Sequence, residues 1–279
     1  MRGWTIFRMP QAQRHFTEKH IRLFSQLLKD KYGIRITREK TDMLKRKLQK
    51  MMTGSNVASY DELYELINSS SLYLTRFLDE VTTHTTNFFR ESSHFDYITN
   101  EINYLLGKNK RIREHGEIRV WSAACSTGEE PYTLAMILKE SLPEEIAIKM
   151  LATDISRKVV SAAARGVYAL QIENEVKQYY LQKYFYKADG LYQVTDDLKS
   201  LIKFRVFNLM DPFPFKKDFD IIFCRNVMIY FEGQAQEQLV QRMYDIIASG
   251  GLFFIGHSEG LVSKEHRFTF LEPSVYMKA

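Results

Sequence analysis

Apolar positions recur at helical spacing through the first hundred residues. Phe16, Leu23, Phe24, Leu27 and Leu28 share one face, and Gly33 follows as a natural helix stop. A second helix is predicted after Thr37, with Leu44, Leu48 and Met51 as its apolar stripe and Lys45, Arg46 and Lys50 on the opposite side. Ser59 and Glu62 have capping-box spacing and start a third helix with Leu63, Leu66 and Ile67 inward. Leu74, Phe77, Leu78 and Val81 predict a fourth. A Thr-rich stretch from Thr82 to Thr86 breaks the pattern, and a longer helix after Ser92 or Ser93 buries Phe95, Ile98, Ile102, Leu105 and Leu106.

From about residue 117 the period changes. Apolar β-rich runs at Ile118–Ala124, Lys149–Asp154, Asp220–Arg225 and Gly251–Gly256 alternate with helical stretches at 130–139 and 234–248. This alternation predicts an α/β domain with a parallel sheet. Leu191–Val194 and Ile202–Val206 read instead as a small antiparallel excursion, and Phe268–Leu271 with Val275–Met277 as a terminal hairpin. The chain thus divides into a helical domain over 12–82, a linker and connecting helix over 83–116, and an α/β domain over 117–279 with an inserted β-subdomain at about 186–206.

Composition narrows the classes. With 45% hydrophobic and 26% charged residues in 279, the chain is neither disordered nor collagen-like. No apolar run approaches the ~20 residues of a membrane span. Two cysteines, Cys125 and Cys224, cannot build a disulfide framework, so a cytoplasmic protein is expected. The net charge of +5 conceals an asymmetry. Residues 1–60 carry 14 Lys and Arg against 4 Asp and Glu, a net of +10, and the remainder carries 25 against 30, a net of −5. A basic docking element on a mildly acidic body fits this better than a nucleic-acid coat; a plain solvated Lys-rich face would carry the same charge.

In open α/β sheets ligands bind beyond the carboxyl ends of the strands, which singles out the loops at 123–131, 153–156, 208–212 and 224–230. The first reads SAACSTGEEPY. Its small residues allow close backbone approach, but Glu129 and Glu130 at the helix start repel phosphate while suiting the helix dipole. Asp154 ends the second strand, where an acid commonly holds ribose hydroxyls or caps the next helix. Ribose without a phosphate clamp, among acids, points to S-adenosylmethionine, whose sulfonium and ammonium are cationic. Arg90, in HTTNFFR, can offer a bidentate fork to a carboxylate or pair with Glu91.

TTHTTNFFRESSHF, VWSAACSTGEEPYTLA, LATDIS, FNLM, IIFCRNVMIYF and GLFFIGHSE together resemble the chemotaxis receptor methyltransferase family (CheR-type), in its order and with similar spacing from about residue 16 onward. The resemblance implies an N-terminal all-helical domain, then a Rossmann-like class I methyltransferase domain with a small inserted antiparallel β-subdomain. It implies methylation of glutamate side chains on the cytoplasmic helices of chemoreceptors, with S-adenosyl-L-methionine consumed and S-adenosyl-L-homocysteine released. Cofactor contacts are implied at His84, Thr86, Arg90, Glu130, Asp154, Asn208, Leu209, Arg225 and Asn226, with Glu129 as the fallback for Glu130. Catalytic roles fall to Arg90 and Tyr230. Arg38, Lys45, Arg46 and Lys50 are implied in docking the acidic receptor helices.

Two departures stand out. The family usually has Asn where His84 stands; an imidazole also offers a donor and an acceptor, so the contact can survive. Many members carry a Gly-rich extension that goes with binding a receptor's C-terminal pentapeptide, whereas Tyr184–Leu191 is short here with Gly190 alone. An enzyme independent of that tether is therefore expected, acting as a monomer without metal, nucleic acid or membrane insertion. The competing readings are a methyltransferase for RNA or another protein, and a non-catalytic cofactor sensor. The first lacks aromatics interleaved with the basic side chains; the second sits poorly with an intact Arg90, Asp154 and Tyr230.

Overall fold

The computed structural model describes residues 15–55, 57–261 and 266–279. They form two compact units, the first ending at Thr82 and the second running from Thr83 to Ala279. In the first, four helices, α1 (Glu18–Tyr32), α2 (Thr41–Thr53), α3 (Tyr60–Ser69) and α4 (Ser71–Val81), pack the predicted stripes inward. Phe24, Leu28, Leu44, Leu48, Leu63, Ile67 and Phe77 are fully buried. The caps follow the sequence with small changes. A 3-10 turn at Arg38–Lys40 intervenes between Thr37 and α2. Ser59 Oγ accepts from Glu62 N at 3.2 Å, while the Glu62 carboxylate reaches back to Ala58 N at 2.8 Å, one residue beyond an ideal box.

The second unit starts with α5 (Ser93–Lys108) and α6 (Lys110–His115). The apolar face of α5 packs on the sheet unit instead of bridging solvent: Phe95, Ile98, Ile102 and Leu105 are buried within its core. Buried Asp220 fixes α6, accepting from Asn109 Nδ2 at 2.7 Å and Arg111 Nε at 2.8 Å. The sheet contains β1 (Glu117–Ala123), β2 (Ala147–Asp154), β6 (Ile202–Val206), β7 (Phe219–Cys224), β8 (Ile247–Ile255), β9 (Thr269–Glu272) and β10 (Val275–Met277), in the order β6-β2-β1-β7-β8-β10-β9. The first five run parallel, and β10 is antiparallel to both neighbours. α7 (Glu129–Ser141) and α8 (Arg157–Arg165) follow β1 and β2, the short α9 (Gln178–Tyr184) and α10 (Asp196–Ser200) precede β6, and α11 (Gly233–Asp245) precedes β8.

One expectation is corrected. Ile202–Val206 does not belong to the inserted β-subdomain; it is the parallel edge strand of the main sheet, Ile202 opposite Met150 and Val206 opposite Asp154. The alternation of buried Ile202 and half-buried Phe204 with exposed neighbours suits any edge strand with one covered face, so the period cannot tell the two placements apart. The small sheet is β3 (Val167–Tyr168), β5 (Leu191–Val194) and β4 (Phe185–Ala188), in that order, with β4 and β5 joined by the two-residue turn Asp189–Gly190. The chain leaves β1 for β2 and β6 on one side and returns to β7 on the other. The topological switch point therefore lies between β1 and β7.

Candidate active site

Three segments of the second unit meet at the carboxyl ends of β1, β2 and β7. The loop after β1 turns sharply: Ala124, Ser126 and Gly128 have φ of 66, 49 and 102°. Such backbone is open to glycine and costly for side chains. At Gly128 space is as tight as the torsion, since a Cβ would stand 2.8 Å from the Tyr168 hydroxyl oxygen and 3.0 Å from Ala163 Cβ. Ser126 links two expected site residues: its N–H donates to Asp154 Oδ2 at 3.0 Å and its hydroxyl to the His84 carbonyl at 3.1 Å. Asp154 Oδ1 also accepts Ser156 N at 3.0 Å, so its capping role and its place at the cleft coexist. Burial pushes its carboxyl above the ordinary range, and the Ser156 and Ser126 amides and His84 pull the other way.

The two acids opening α7 face different partners. Glu129 accepts from Thr127 Oγ1 at 2.7 Å, whereas Glu130 accepts from Ser122 Oγ at 2.7 Å and lies 3.5 Å from Arg225 Nη1. Burial raises both carboxyl pKa values. The segment His84–Glu91 is pinned from several sides. Phe88 N donates to Glu175 Oε2 at 2.9 Å and Phe89 N to Thr133 Oγ1 at 3.3 Å, and the Phe88 ring packs on Tyr168. Thr86 is half-buried, and Arg90 Nη1 donates to the Thr85 carbonyl at 2.6 Å.

Arg225 is built differently from the sequence expectation of a cofactor-facing side chain. Its guanidinium is 1% exposed, stacked 5.5 Å from the centroids of Phe95 and Phe223. It donates to Glu91 Oε2 through Nε at 3.2 Å and Nη2 at 2.9 Å, and through Nη2 to the Arg90 carbonyl. The side chain is thus spent on tying the Arg90 segment to β7. Asn226 sits beside it, its Nδ2 on Glu91 Oε1 at 3.1 Å. Glu91 balances burial, which raises its pKa, against Asn226 and Arg225, which together bring it below the ordinary value. Glu91, His94 and His257 come within 4.8 Å of one another. The Glu91 oxygens, however, already accept from Arg225, Asn226 and the His257 amide, which leaves little for a cation.

Asn208 and Leu209 flank the same edge, because Phe207 N donates to the Asp154 carbonyl at 2.9 Å. The Asn208 side chain closes its own turn, Oδ1 accepting Met210 N at 3.0 Å and Nδ2 donating to Asp211 at 3.1 Å. Arg242 on α11 holds this loop through the carbonyls of Leu209 and Asp211, both at 2.8 Å. Tyr230, half-buried, ends the 3-10 turn Met228–Tyr230 in the loop after β7. The cleft-edge residues His84, Arg90, Glu130, Asp154, Asn208, Arg225, Asn226 and Tyr230 therefore share one unit, while Arg38, Lys45, Arg46 and Lys50 belong to the helical one. Glu259 and Arg242 have no role in the sequence reading, and Glu91, considered there only as an alternative partner of Arg90, pairs with Arg225 instead. The available signal was position alone, Glu91 next to Arg90 and Glu259 inside the HSE run that follows β8.

Acids at the ends of β1 and β2, close-approach backbone between them and the Arg90 guanidinium within electrostatic reach of Glu130 suit a cationic nucleoside with an amino-acid end. Fold and site together define an S-adenosylmethionine-dependent methyltransferase. Residues 84–277 match the CheR methyltransferase SAM-binding domain, and residues 19–82 the CheR methyltransferase all-alpha domain. The chain belongs to the CheR methyltransferase family. It is 35% identical to the chemotaxis protein methyltransferase of Escherichia coli (98% of this chain, 96% of that protein) and 34% identical to that of Borreliella burgdorferi (95% of each). It is 31% identical to chemotaxis protein methyltransferase 2 of Pseudomonas aeruginosa, over 95% of each.

Proposed function

We propose that this chain methylates glutamate side-chain carboxylates on the cytoplasmic helices of chemoreceptors, giving glutamyl methyl esters. The observation that carries the reading is the gathering of the HTTNFFR segment, the STGEE loop and the CRNVMIY loop at one strand-end edge, in a chain that matches both family domains nearly end to end. S-adenosylmethionine, when bound, supplies an electrophilic methyl group on a sulfonium. Arg90 anchors the carboxylate of that ligand, Asp154 and the Glu129–Glu130 pair front its ribose and cationic portions, and His84 lies beside Asp154. A glutamate nucleophile is already ionised at neutral pH, its free pKa being ~4.3, so no general base is needed. Tyr230 orients the incoming carboxylate with a single neutral hydrogen bond. A stronger cationic clamp there would favour the charged ground state over the charge-dispersed transition state. Holding the carboxylate and the methyl group in line at near-contact distance, to which this hydrogen bond is one contribution, can be worth ~7–11 kcal/mol in total. The two-residue Asp189–Gly190 turn supports independence from a receptor tether, since it leaves the small sheet without an extension.

The test is radiolabelled methyl transfer to receptor-containing membranes. The product should be base-labile, which separates an ester from N-methylated RNA or lysine. Arg90→Ala should weaken S-adenosylhomocysteine binding and turnover together, and Tyr230→Phe should lower turnover with near-normal affinity for that product. Alkali-stable label, or the reverse split between the two variants, would refute the reading.

A further inference from the structure

The loop after β7 carries both Asn226 and Tyr230, and its shape is held from outside. Asn226 has φ 57°, a left-handed conformation that a non-glycine residue keeps only when its surroundings fix it. The β7–β8 ladder ends with Cys224 opposite Ile255, so the sheet pairing stops two residues before Asn226. Glu259 takes over there. It is 7% exposed, in the turn that follows β8. Its Oε2 accepts the main-chain N–H of Gly256 at 2.7 Å and of Asn226 at 2.8 Å, and its Oε1 that of Ile229 at 3.2 Å.

Among the described residues no lysine, arginine or histidine pairs with this carboxylate. A buried anion without a cation is expensive, and here it is offset by neutral N–H donors drawn from the two loops that frame the cleft. Gly256 is packed into the same clasp: a Cβ there would lie 2.4 Å from Asn226 Nδ2 and 2.9 Å from Glu259 Oε2. The side-chain amide of Asn226 is in turn held by Glu91 at 3.1 Å. With its N–H on one carboxylate and its NH2 on another, Asn226 has acceptors left to offer a ligand.

We propose that Glu259 is a positioning residue for methyl transfer, whose carboxylate clasps the main chain of Gly256, Asn226 and Ile229 and so sets how the loop presents Asn226 to the cofactor and Tyr230 to the substrate. The proposal rests on the placement of those two residues in the preceding section. Glu259→Gln preserves size but turns an acceptor toward donors into a second donor. In the full chain it should lower kcat at least tenfold and weaken S-adenosylhomocysteine binding severalfold while thermal unfolding stays cooperative. The amide protons of Asn226 and Gly256, shifted downfield by a carboxylate, should move upfield in the same variant. Combined with Tyr230→Phe, the loss should fall well short of the product of the two single losses. Unchanged amides with unchanged affinity and kcat, or fully multiplicative losses, overturn the proposal. Full turnover in Tyr230→Phe alone would fault the site reading instead, and the amide and affinity results would still decide the clasp. Should the Gln variant not fold, Glu259→Asp keeps the charge but withdraws it by one methylene. Intermediate losses in that variant support the clasp, and wild-type kcat and affinity refute it.

Discussion

His94 shows how the environment of one residue sets a property of the fold. It is 1% exposed, neither ring nitrogen has a hydrogen-bond partner among the described residues, and Phe223, Phe254 and His257 surround it edge-on. Burial, with Arg225 adding to it and Glu91 opposing, pushes its pKa down to about 3. In the unfolded chain the ordinary value of 6.5 returns. Between these values the unfolded state binds a proton that the folded state refuses, so stability is lost as pH falls below 6.5, by up to about 1.4 kcal/mol per pH unit. His94→Leu should therefore flatten the fall of urea-unfolding free energy between pH 6.5 and 4.5, with little change at pH 7.5. The buried carboxylates Asp154, Glu130 and Glu259, with raised pKa, act in the opposite sense, but they cancel when variant and wild type are compared. An equally steep acid limb in the variant would remove His94 as its cause. The residues expected to touch ligand were legible in the sequence because they sit in dense motifs. Their supports were not: Glu259 reaches Asn226 across 33 residues and Glu91 reaches Arg225 across 134, and no local pattern encodes such a pairing.

At the scale of elements, the strand-to-helix loop after β1 has little room to move. Gly128 combines φ 102° with a neighbour shell that no side chain can enter without displacing Tyr168, whose hydroxyl bonds the Thr127 carbonyl at 2.9 Å, or the α8 residue Ala163. Gly128→Ala should cost ~1–3 kcal/mol of stability from the backbone alone. It should also reduce S-adenosylhomocysteine affinity at least tenfold, because the loop cannot tilt without moving Ser126 off Asp154. Calorimetric melting and titration check both; normal affinity in a destabilised variant would mean that the loop does not contact the ligand. Most elements were legible from period and caps, including the terminal hairpin. Each exception has its own physical origin. β6 was misplaced because alternation reports a half-covered face and not the sheet that covers it. The two residues of β3 were too short for any period. The predicted helix at 234–248 gives way to a helix ending at Asp245 and a strand beginning at Ile247, because a buried amphipathic helix and a buried strand share apolar residues at their junction.

At the scale of the whole molecule, the cleft-edge residues and the basic residues proposed for docking fall to different compact units, and the positive charge is concentrated at the start of the first: residues 61–82 carry one arginine against five acids, and residues 83–279 carry 24 Lys and Arg against 25 Asp and Glu. The +10 carried by residues 1–60 is not all available to a partner. Lys50 Nζ pairs with Glu80 at 2.9 Å, Lys19 pairs with Asp61 at 2.8 Å, and half-buried Lys47 donates to the Thr82 carbonyl at 3.4 Å. Arg38, Lys45 and Arg46 are exposed and, among the described residues, form no ion pair. If acidic receptor helices dock on this face, Lys45 and Arg46 are better probes than Lys50, whose reversal would also create repulsion with Glu80 and confuse stability with binding. Exposed charge pairs are worth ~0.2–1 kcal/mol each, so Lys45→Glu with Arg46→Glu should raise the receptor KM roughly tenfold at low salt. Cofactor affinity and kcat should stay as in the wild type, because both substitutions lie outside the unit that holds the cleft. The difference between variant and wild type should shrink as ionic strength passes ~0.15 M, where the Debye length is ~8 Å. A receptor KM indifferent to both charge reversal and salt would leave the basic face of α2 as solvated surface, and receptor recognition would then have to be sought on the second unit.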